Sequence, residues 1–220
     1  MGAYDFEAMR RAMIASQLRT TAVDDPRVLA AAGAVPREDF VPPGKRALAY
    51  IDRVLPIAKG RGLSPPLATA RLVEELRPRD GEKALIVGAA SGYSAALLSR
   101  LLGAQGEVVA LEEDPDLAAI GARALEEHAN VVRVEGPLAA GWPDRAPYDL
   151  ILVDGAAEHL PAALIAQLAP SGRLAAGLVE DGVVRLVVGR RAGEGFGYSA
   201  FADADAARLP GFERPRSFQF

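Results

Sequence analysis

Between Gly88 and Gly92 the chain carries a run of small residues, Gly88-Ala89-Ala90-Ser91-Gly92, set directly after an apolar stretch and directly before a helix-forming one. Small side chains let a backbone approach a ligand closely, and the first N–H groups of the following helix have no partner inside it. Twenty-four positions after Gly88 stands Glu112, followed by Glu113. An acid about 20 residues past a glycine turn is placed to accept hydrogen bonds from a ribose. The chemistry is recognition of a nucleoside-containing ligand. A dinucleotide asks for G-x-G-x-x-G, whereas this chain has Gly88-x-x-x-Gly92 with Ala95 where a third glycine belongs, and so no pyrophosphate cradle. S-adenosylmethionine fits this pattern, because its adenosine needs a ribose-binding acid and it carries no phosphate.

Such a turn needs a strand before it and a helix after it. Lys83 to Val87 reads as a short buried strand and Tyr93 to Leu102 as the helix. Glu107 to Leu111 reads as a second strand, ending at Glu112. Asp114 caps the next helix, Pro115 to His128, with Pro115 in its first turn. Val131 to Val134 and Tyr148 to Val153 are further strands, and Pro161 to Leu168 a helix. Arg173 to Leu178, Val183 to Val188 and Phe196 to Phe201 complete the set, with no crossover helix between them. The alternation implies an α/β fold: a seven-stranded, mostly parallel sheet with an antiparallel edge strand. Residues 1 to about 78 read differently, as helices broken by prolines. Phe6 to Leu18 has an apolar helical stripe, Asp25-Pro26 starts a helix that ends near Gly33, and Pro65-Pro66 starts another that Pro78 closes.

Other reactive side chains are few. Asp154 ends the fourth strand, where a metal-binding acid could sit, but the only later acids in place, Glu180 and Asp181, make a poor ligand set and no metal is expected. His159 is a loop histidine and His128 sits near a helix C-terminus, where its charge is favourable. Trp142 reads as a packed edge residue.

Composition narrows the classes further. The chain has 220 residues, 50% hydrophobic and 25% charged, as in a folded globular protein. It has no cysteine and two histidines, which excludes disulfides, thiol nucleophiles, thiolate metal sites and histidine-rich ones. Net charge of -4 argues against a general nucleic-acid surface. The first residues lack the basic and apolar runs of a signal peptide, and no apolar stretch reaches the ~18 residues of a membrane span. The expected location is the cytoplasm, with no nucleic-acid or membrane partner and an oligomeric state left open.

In order along the chain stand Met13-Ile14, Gln17-Leu18, Asp25, Val28-Leu29 and Val35-Pro36-Arg37-Glu38-Asp39-Phe40-Val41-Pro42. Then come Ala49-Tyr50-x-Asp52, Leu55-Pro56-Ile57, Ser64-x-Pro66 and Gly88-x-x-Ser91-Gly92-Tyr93. Gly141-Trp142-Pro143, Ala146-Pro147-Tyr148-Asp149, Ala156-Ala157, Pro161, Gln167-Leu168 and Gly172-Arg173-Leu174 follow. With these residues the sequence resembles the protein-L-isoaspartate O-methyltransferases, as a divergent member, over residues of about 10 to 178. The resemblance implies a Rossmann-like class I methyltransferase domain, residues 79–220, under an N-terminal helical cap, residues 1–78, lying over the cofactor edge, the two forming one compact unit. It implies methyl transfer from S-adenosyl-L-methionine to isoaspartyl carboxylates of damaged proteins or peptides, leaving S-adenosyl-L-homocysteine. Ser64 is then the catalytic-loop hydroxyl that touches the acceptor; its other reading is an N-cap for the Pro65-Pro66 helix. Gly88, Ala89, Ala90, Ser91, Gly92, Glu112, Glu113, Pro137 and Leu138 fall at the cofactor-binding positions.

The sequence departs from the family pattern at several of these places. Ile86 replaces an acid two positions before the first glycine, and Ala90 replaces the middle glycine, at a cost if its φ is positive. Gly136-Pro137-Leu138 replaces a Gly-Asp-Gly whose Asp holds adenine. Arg61-Gly62-Leu63-Ser64 replaces Gln-Thr-Ile-Ser, and Val153-Asp154-Gly155 stands where Thr or Gly precedes the alanines. Two other readings therefore stay open: methylation of a different acceptor, or a non-catalytic binding relative.

Overall fold

The computed structural model describes residues 4–58 and 60–214; the outermost residues of both expected segments, and Lys59, lie outside it. Asp5 opens α1 (Phe6–Met13) by accepting from the Ala8 N–H at 2.8 Å. The expected single helix to Leu18 instead widens into a π turn over Ile14–Leu18. α2 (Pro26–Ala34) begins as its sequence requires, with Asp25 accepting from the Arg27 N–H and Pro26 in the first turn. The proline-rich stretch that follows holds a hairpin that its sequence does not announce: β1 (Leu55–Ala58) and β2 (Arg61–Leu63), antiparallel, with Leu55 opposite Leu63. Strands this short carry too little alternation to be read from periodicity. α3 (Pro66–Leu76) is anchored at its start by Asp52, which accepts from the Leu67 N–H at 3.2 Å.

β3 (Lys83–Val87), α4 (Tyr93–Leu102) and β4 (Glu107–Glu112) fall where the sequence places them. The helix expected over 115–128 is split at Gly121 into α5 (Pro115–Ile120) and α6 (Ala122–Leu125). A Cβ on Gly121 would stand 1.9 Å from the Ser91 carbonyl oxygen, so only glycine lets this crossover touch the β3–α4 turn. β5 (Val131–Glu135), β6 (Tyr148–Ala157) and α7 (Ala162–Ala166) follow. β7 (Leu168–Glu180), β8 (Val183–Ala192) and β9 (Gly195–Asp203) are all longer than their apolar cores suggest, because each goes on pairing past the buried stretch.

The seven-stranded sheet has the order β5-β4-β3-β6-β7-β8-β9. Strands β3 to β7 pair in parallel, while β8 runs antiparallel to both β7 and β9, so antiparallel pairing is confined to one edge. The chain leaves β3 towards β4 on one side and returns to β6 on the other. That reversal opens a crevice at the carboxyl ends of β3, β4 and β6, where ligands of open α/β sheets bind. One face of the sheet is covered by α3, α4 and the α5–α6 crossover, through Leu72, Val73, Leu97, Leu98, Leu117 and others. Met13, Val28, Phe40 and Tyr50 extend the same core into the N-terminal segment. The other face packs Leu138, Leu164, Leu209 and Phe212 on Leu85, Val87, Ile151 and Val153.

Candidate active site at the carboxyl ends of the strands

The β3–α4 turn bends sharply, with Gly88 at φ 77°, Ala90 at φ 50° and Gly92 at φ 96°. Glycine adopts these values freely; an L-residue such as Ala90 does so at a cost of about 1–2 kcal/mol. The turn is held in place despite that. Gly88 and Ala89 donate to the Leu111 carbonyl, Ala90 N–H donates to Glu112 Oε2 at 2.7 Å, and Ser91 Oγ donates to the Phe40 carbonyl at 2.6 Å. This last bond ties the turn to the N-terminal segment.

Glu112 lies at the tip of β4 and is 3% exposed. Besides Ala90, its carboxylate accepts from the Glu113 N–H at 3.0 Å and the Asp114 N–H at 3.1 Å. It also accepts two bonds from Arg61 of β2, from Nη1 at 2.7 Å and Nη2 at 2.8 Å, a buried fork-to-carboxylate pair. Arg61 was visible in the sequence only as a departure from a family pattern; the available signal was a cation gained in a loop that must face an obligatory buried acid. Glu113 is exposed beside it.

A cavity of about 680 Å³ opens on this side of the sheet. Ala89, Ala90, Ser91, Gly92 and Glu112 form one wall, and Ala118, Ala119 and Ala122 of the α5–α6 crossover form another. Five of the expected cofactor residues are thus brought to one space, as the alternation of strand and helix requires. Ser64, Gly88, Glu113, Pro137 and Leu138 are not on its walls. Pro137 is exposed at the turn after β5, while Leu138 is 1% exposed and packs with Leu111 and Leu164 in the core of the opposite face. Gly88 faces the C-terminal segment, where a Cβ would meet Leu209 at 2.7 Å.

Ser64 is buried beside this segment. Its Oγ accepts from the Ala207 N–H at 3.3 Å, and its carbonyl accepts from Arg37 Nη2 at 2.7 Å. It does not cap α3; Asp52 serves that end. Ala207 in turn accepts from the Ala156 N–H at 2.7 Å, and Leu209 N–H donates to the Ala156 carbonyl at 3.0 Å, so residues 206–212 form a strap along the end of β6. His159 is tied to it, with Nδ1 3.1 Å from the Phe212 carbonyl.

Among the described residues, three polar atoms buried in this region have no partner: Arg37 Nη1, Ser94 Oγ and Asp154 Oδ1. Arg37 is otherwise bonded to the Ala49 carbonyl through Nε at 2.8 Å and lies 4.5 Å from the centre of the Tyr93 ring. Asp154 follows Val153, whose partner on β3 is Val87, so the acid stands level with Gly88, one strand over. Burial pushes its carboxyl above the usual carboxylate range, opposed by Ser94 and by the charges of Arg37 and Arg61. Burial likewise raises the Tyr93 hydroxyl and lowers the Arg37 guanidinium. Among the described residues no three His, Asp or Glu side chains gather into a metal-ligand set.

Residues 8–196 match the family model described as Protein-L-isoaspartate(D-aspartate) O-methyltransferase (PCMT). Protein-L-isoaspartate O-methyltransferase 2 of Anaeromyxobacter sp. (strain Fw109-5) is 42% identical over 184 residues, covering 83% of this chain and 74% of that one. Protein-L-isoaspartate O-methyltransferase 1 of Rhodopseudomonas palustris (strain HaA2) is 44% identical over 174 residues, covering 78% and 70%. Among solved structures, a protein-L-isoaspartate O-methyltransferase superposes with a TM-score of 0.77 at 23% identity, covering 94% of this chain and 66% of that one. A Plasmodium falciparum chain described as a beta-aspartate methyltransferase (PCMT), in complex with S-adenosyl-L-homocysteine, gives a TM-score of 0.74 at 20% identity, covering 94% and 99%. The two structures share the fold; the sequence matches decide the family, and the chain belongs to the protein-L-isoaspartate O-methyltransferases.

Proposed function

We propose that this chain transfers the methyl group of S-adenosyl-L-methionine to the carboxylate of isoaspartyl residues in damaged proteins or peptides, releasing S-adenosyl-L-homocysteine. The observation that carries this reading is the cavity over the carboxyl end of β4 and the neighbouring β5, which has the ribose-type acid Glu112 and the small-residue turn on a single wall. The donor set suits an adenosyl group: a buried carboxylate for a diol and alanine walls for an apolar ring, with Arg133 on the β5 side of the cavity. The bound cofactor would supply an electrophilic methyl on a sulfonium.

The chain's own residues have the remaining tasks. Glu112 would hold the ribose, and Ala89, Ala90, Ser91 and Gly92 would give close backbone along the ligand, with Gly88 setting the bend from which they start. Glu113 flanks the ribose from the exposed side, and Pro137 lends an apolar surface to adenine. Leu138, as a core side chain, acts only by fixing Pro137. The acceptor carboxylate is already ionised at pH 7, with a pKa near 4, so no general base is needed. Orientation and exclusion of water carry the rate, which can amount to about 7–11 kcal/mol. Ser64 accepts from Ala207 through a lone pair and keeps its own O–H to donate to the acceptor.

Residues 1–78 are proposed as the cap on 79–220, a reading supported by the bonds from Phe40, Arg61 and Ser64 across to Ser91, Glu112 and Ala207. The proposed setting is the cytoplasm, with protein substrates and neither nucleic acid nor membrane as partner; the net charge of -4 speaks against a nucleic-acid surface, and no helix among the described residues is long and apolar enough to cross a membrane. Incubation with labelled S-adenosylmethionine and an isoaspartyl peptide tests the activity. A base-labile methyl ester on the isoaspartyl residue is expected. Stable methylation elsewhere would point to another acceptor, and no transfer despite S-adenosylhomocysteine binding would point to a non-catalytic relative.

A further inference from the structure

In this structure Glu112 already has partners where a ribose would bind. A carboxylate offers about four lone-pair positions, and Glu112 accepts five hydrogen bonds. Three come from backbone N–H groups of the turn and the β4 tip, which are fixed by the fold. The other two come from the single side chain of Arg61. A ribose diol also presents two neighbouring donors, so diol and guanidinium compete for the same edge of the carboxylate.

Arg61 is 8% exposed, and a guanidinium stripped of its anion in such a place is strongly disfavoured. It can leave Glu112 only for another acceptor. Asp154 offers one: among the described residues its Oδ1 is buried without a partner, and the charges of Arg37 and Arg61 both act on it, Arg37 the more strongly. Arg61 also rides on a two-stranded hairpin that, among the described residues, pairs with no other strand, a unit with little stability of its own. Both Arg61 and Asp154 are departures from the family pattern, and they introduce opposite charges close enough for Arg61 to act on Asp154.

We propose that Arg61 is a displaceable guard on the ribose acid: an adenosyl ligand takes Glu112 only as Arg61 moves across to Asp154. Cofactor affinity is then set by an exchange of ion-pair partners. This inference rests on the adenosyl reading of the cavity.

Calorimetric titration with S-adenosylhomocysteine, free of any activity readout, tests it. If the guarded state outweighs the open one about ten to one, Arg61→Gln tightens binding about ten-fold, because the open fraction divides the apparent affinity. The same variant melts at a lower temperature without ligand, since it has lost a buried ion pair. Opposite signs in affinity and stability are the signature, and a purely structural arginine would lower both. Arg61→Lys, a milder change that keeps one charge but loses the fork, falls between. Asp154→Asn weakens binding several-fold in the native background and has no effect on top of Arg61→Gln. Arg61→Gln binding no tighter than the native chain overturns the guard while leaving the adenosyl reading in place. An equal effect of Asp154→Asn in both backgrounds removes Asp154 as the second position. Failure of native and variant chains alike to bind overturns the adenosyl reading and the guard with it.

Discussion

The two ends of the parallel sheet treat their buried polar groups differently. At the amino ends, Asn130 donates to the Ser99 and Gly103 carbonyls at 3.2 and 2.8 Å and closes the C-terminus of α4. Ser99 Oγ donates to Asn130 Oδ1 at 2.6 Å, and His128 Nδ1 lies 2.8 Å from the same hydroxyl. Arg173 bridges the Leu76 and Arg77 carbonyls to Glu82. At the carboxyl ends, by contrast, Glu112 has more donors than it can well use, while Arg37, Ser94 and Asp154 each keep an unused atom. An end built only for stability satisfies its groups pair by pair. An uneven distribution of partners marks the end where binding has a claim on the same atoms.

The contrast can be broken, most forcefully by Glu112→Ala. It removes one acceptor from five donors and leaves Arg61 buried without its anion, a loss of about 3–5 kcal/mol in denaturant unfolding. Glu112→Gln, a gentler change, should still weaken S-adenosylhomocysteine about ten-fold; a folded variant with native affinity would place the ligand elsewhere. Arg173→Ala at the opposite end should cost roughly 3 kcal/mol as well. Its ligand affinity should stay at the native value, and any change in it would mean that the two ends are coupled.

Asp154→Asn should act in the other direction. Burial makes the folded protein hold the Asp154 proton more tightly than the unfolded chain does. Stability therefore falls as pH rises from the ordinary value of 3.8 towards the raised one, and above that the loss is complete. Melting curves should show the variant a few degrees more stable than the native chain at pH 7, roughly the shift of about 1 kcal/mol. The gain should vanish below the ordinary value, and a gain that persisted there would have another origin. The smallest effect is expected for Ala90→Gly, which relieves the positive φ at the turn. It should add about 1 kcal/mol, offset in part by the flexibility of glycine in the unfolded chain.

The elements with local signals were legible in the sequence. Asp25-Pro26 and Asp114-Pro115 start helices as cap chemistry demands, and the β3-turn-α4-β4 unit carried Glu112 to the correct strand tip. The guard on that acid was not legible, because Arg61 and Glu112 are 51 positions apart and nothing local selects one partner among 25 basic residues. Leu138 looked like part of an adenine surface because the family pattern places it there, and the choice of face depends on a turn geometry that sequence does not state. The split at Gly121 was hidden for a similar reason: the glycine answers to the Ser91 carbonyl, a contact across the fold, while its neighbours in sequence favour an unbroken helix.

The strap of residues 206–212 has a consequence for the order of events during synthesis. Ser64 and Ala207, which share a hydrogen bond, are separated by 143 positions, so that contact closes only after the sheet strands between them have been made. Pairings this distant in sequence are slow to form, since a long loop must be closed before anything is gained. A chain still emerging from the ribosome can lay down β3, α4 and β4 early, with Gly88 and Gly155 bare. Leu209 covers both only at the end. The seat of Ser64 therefore matures late, whereas the cavity walls, all within residues 89–135, can form before it.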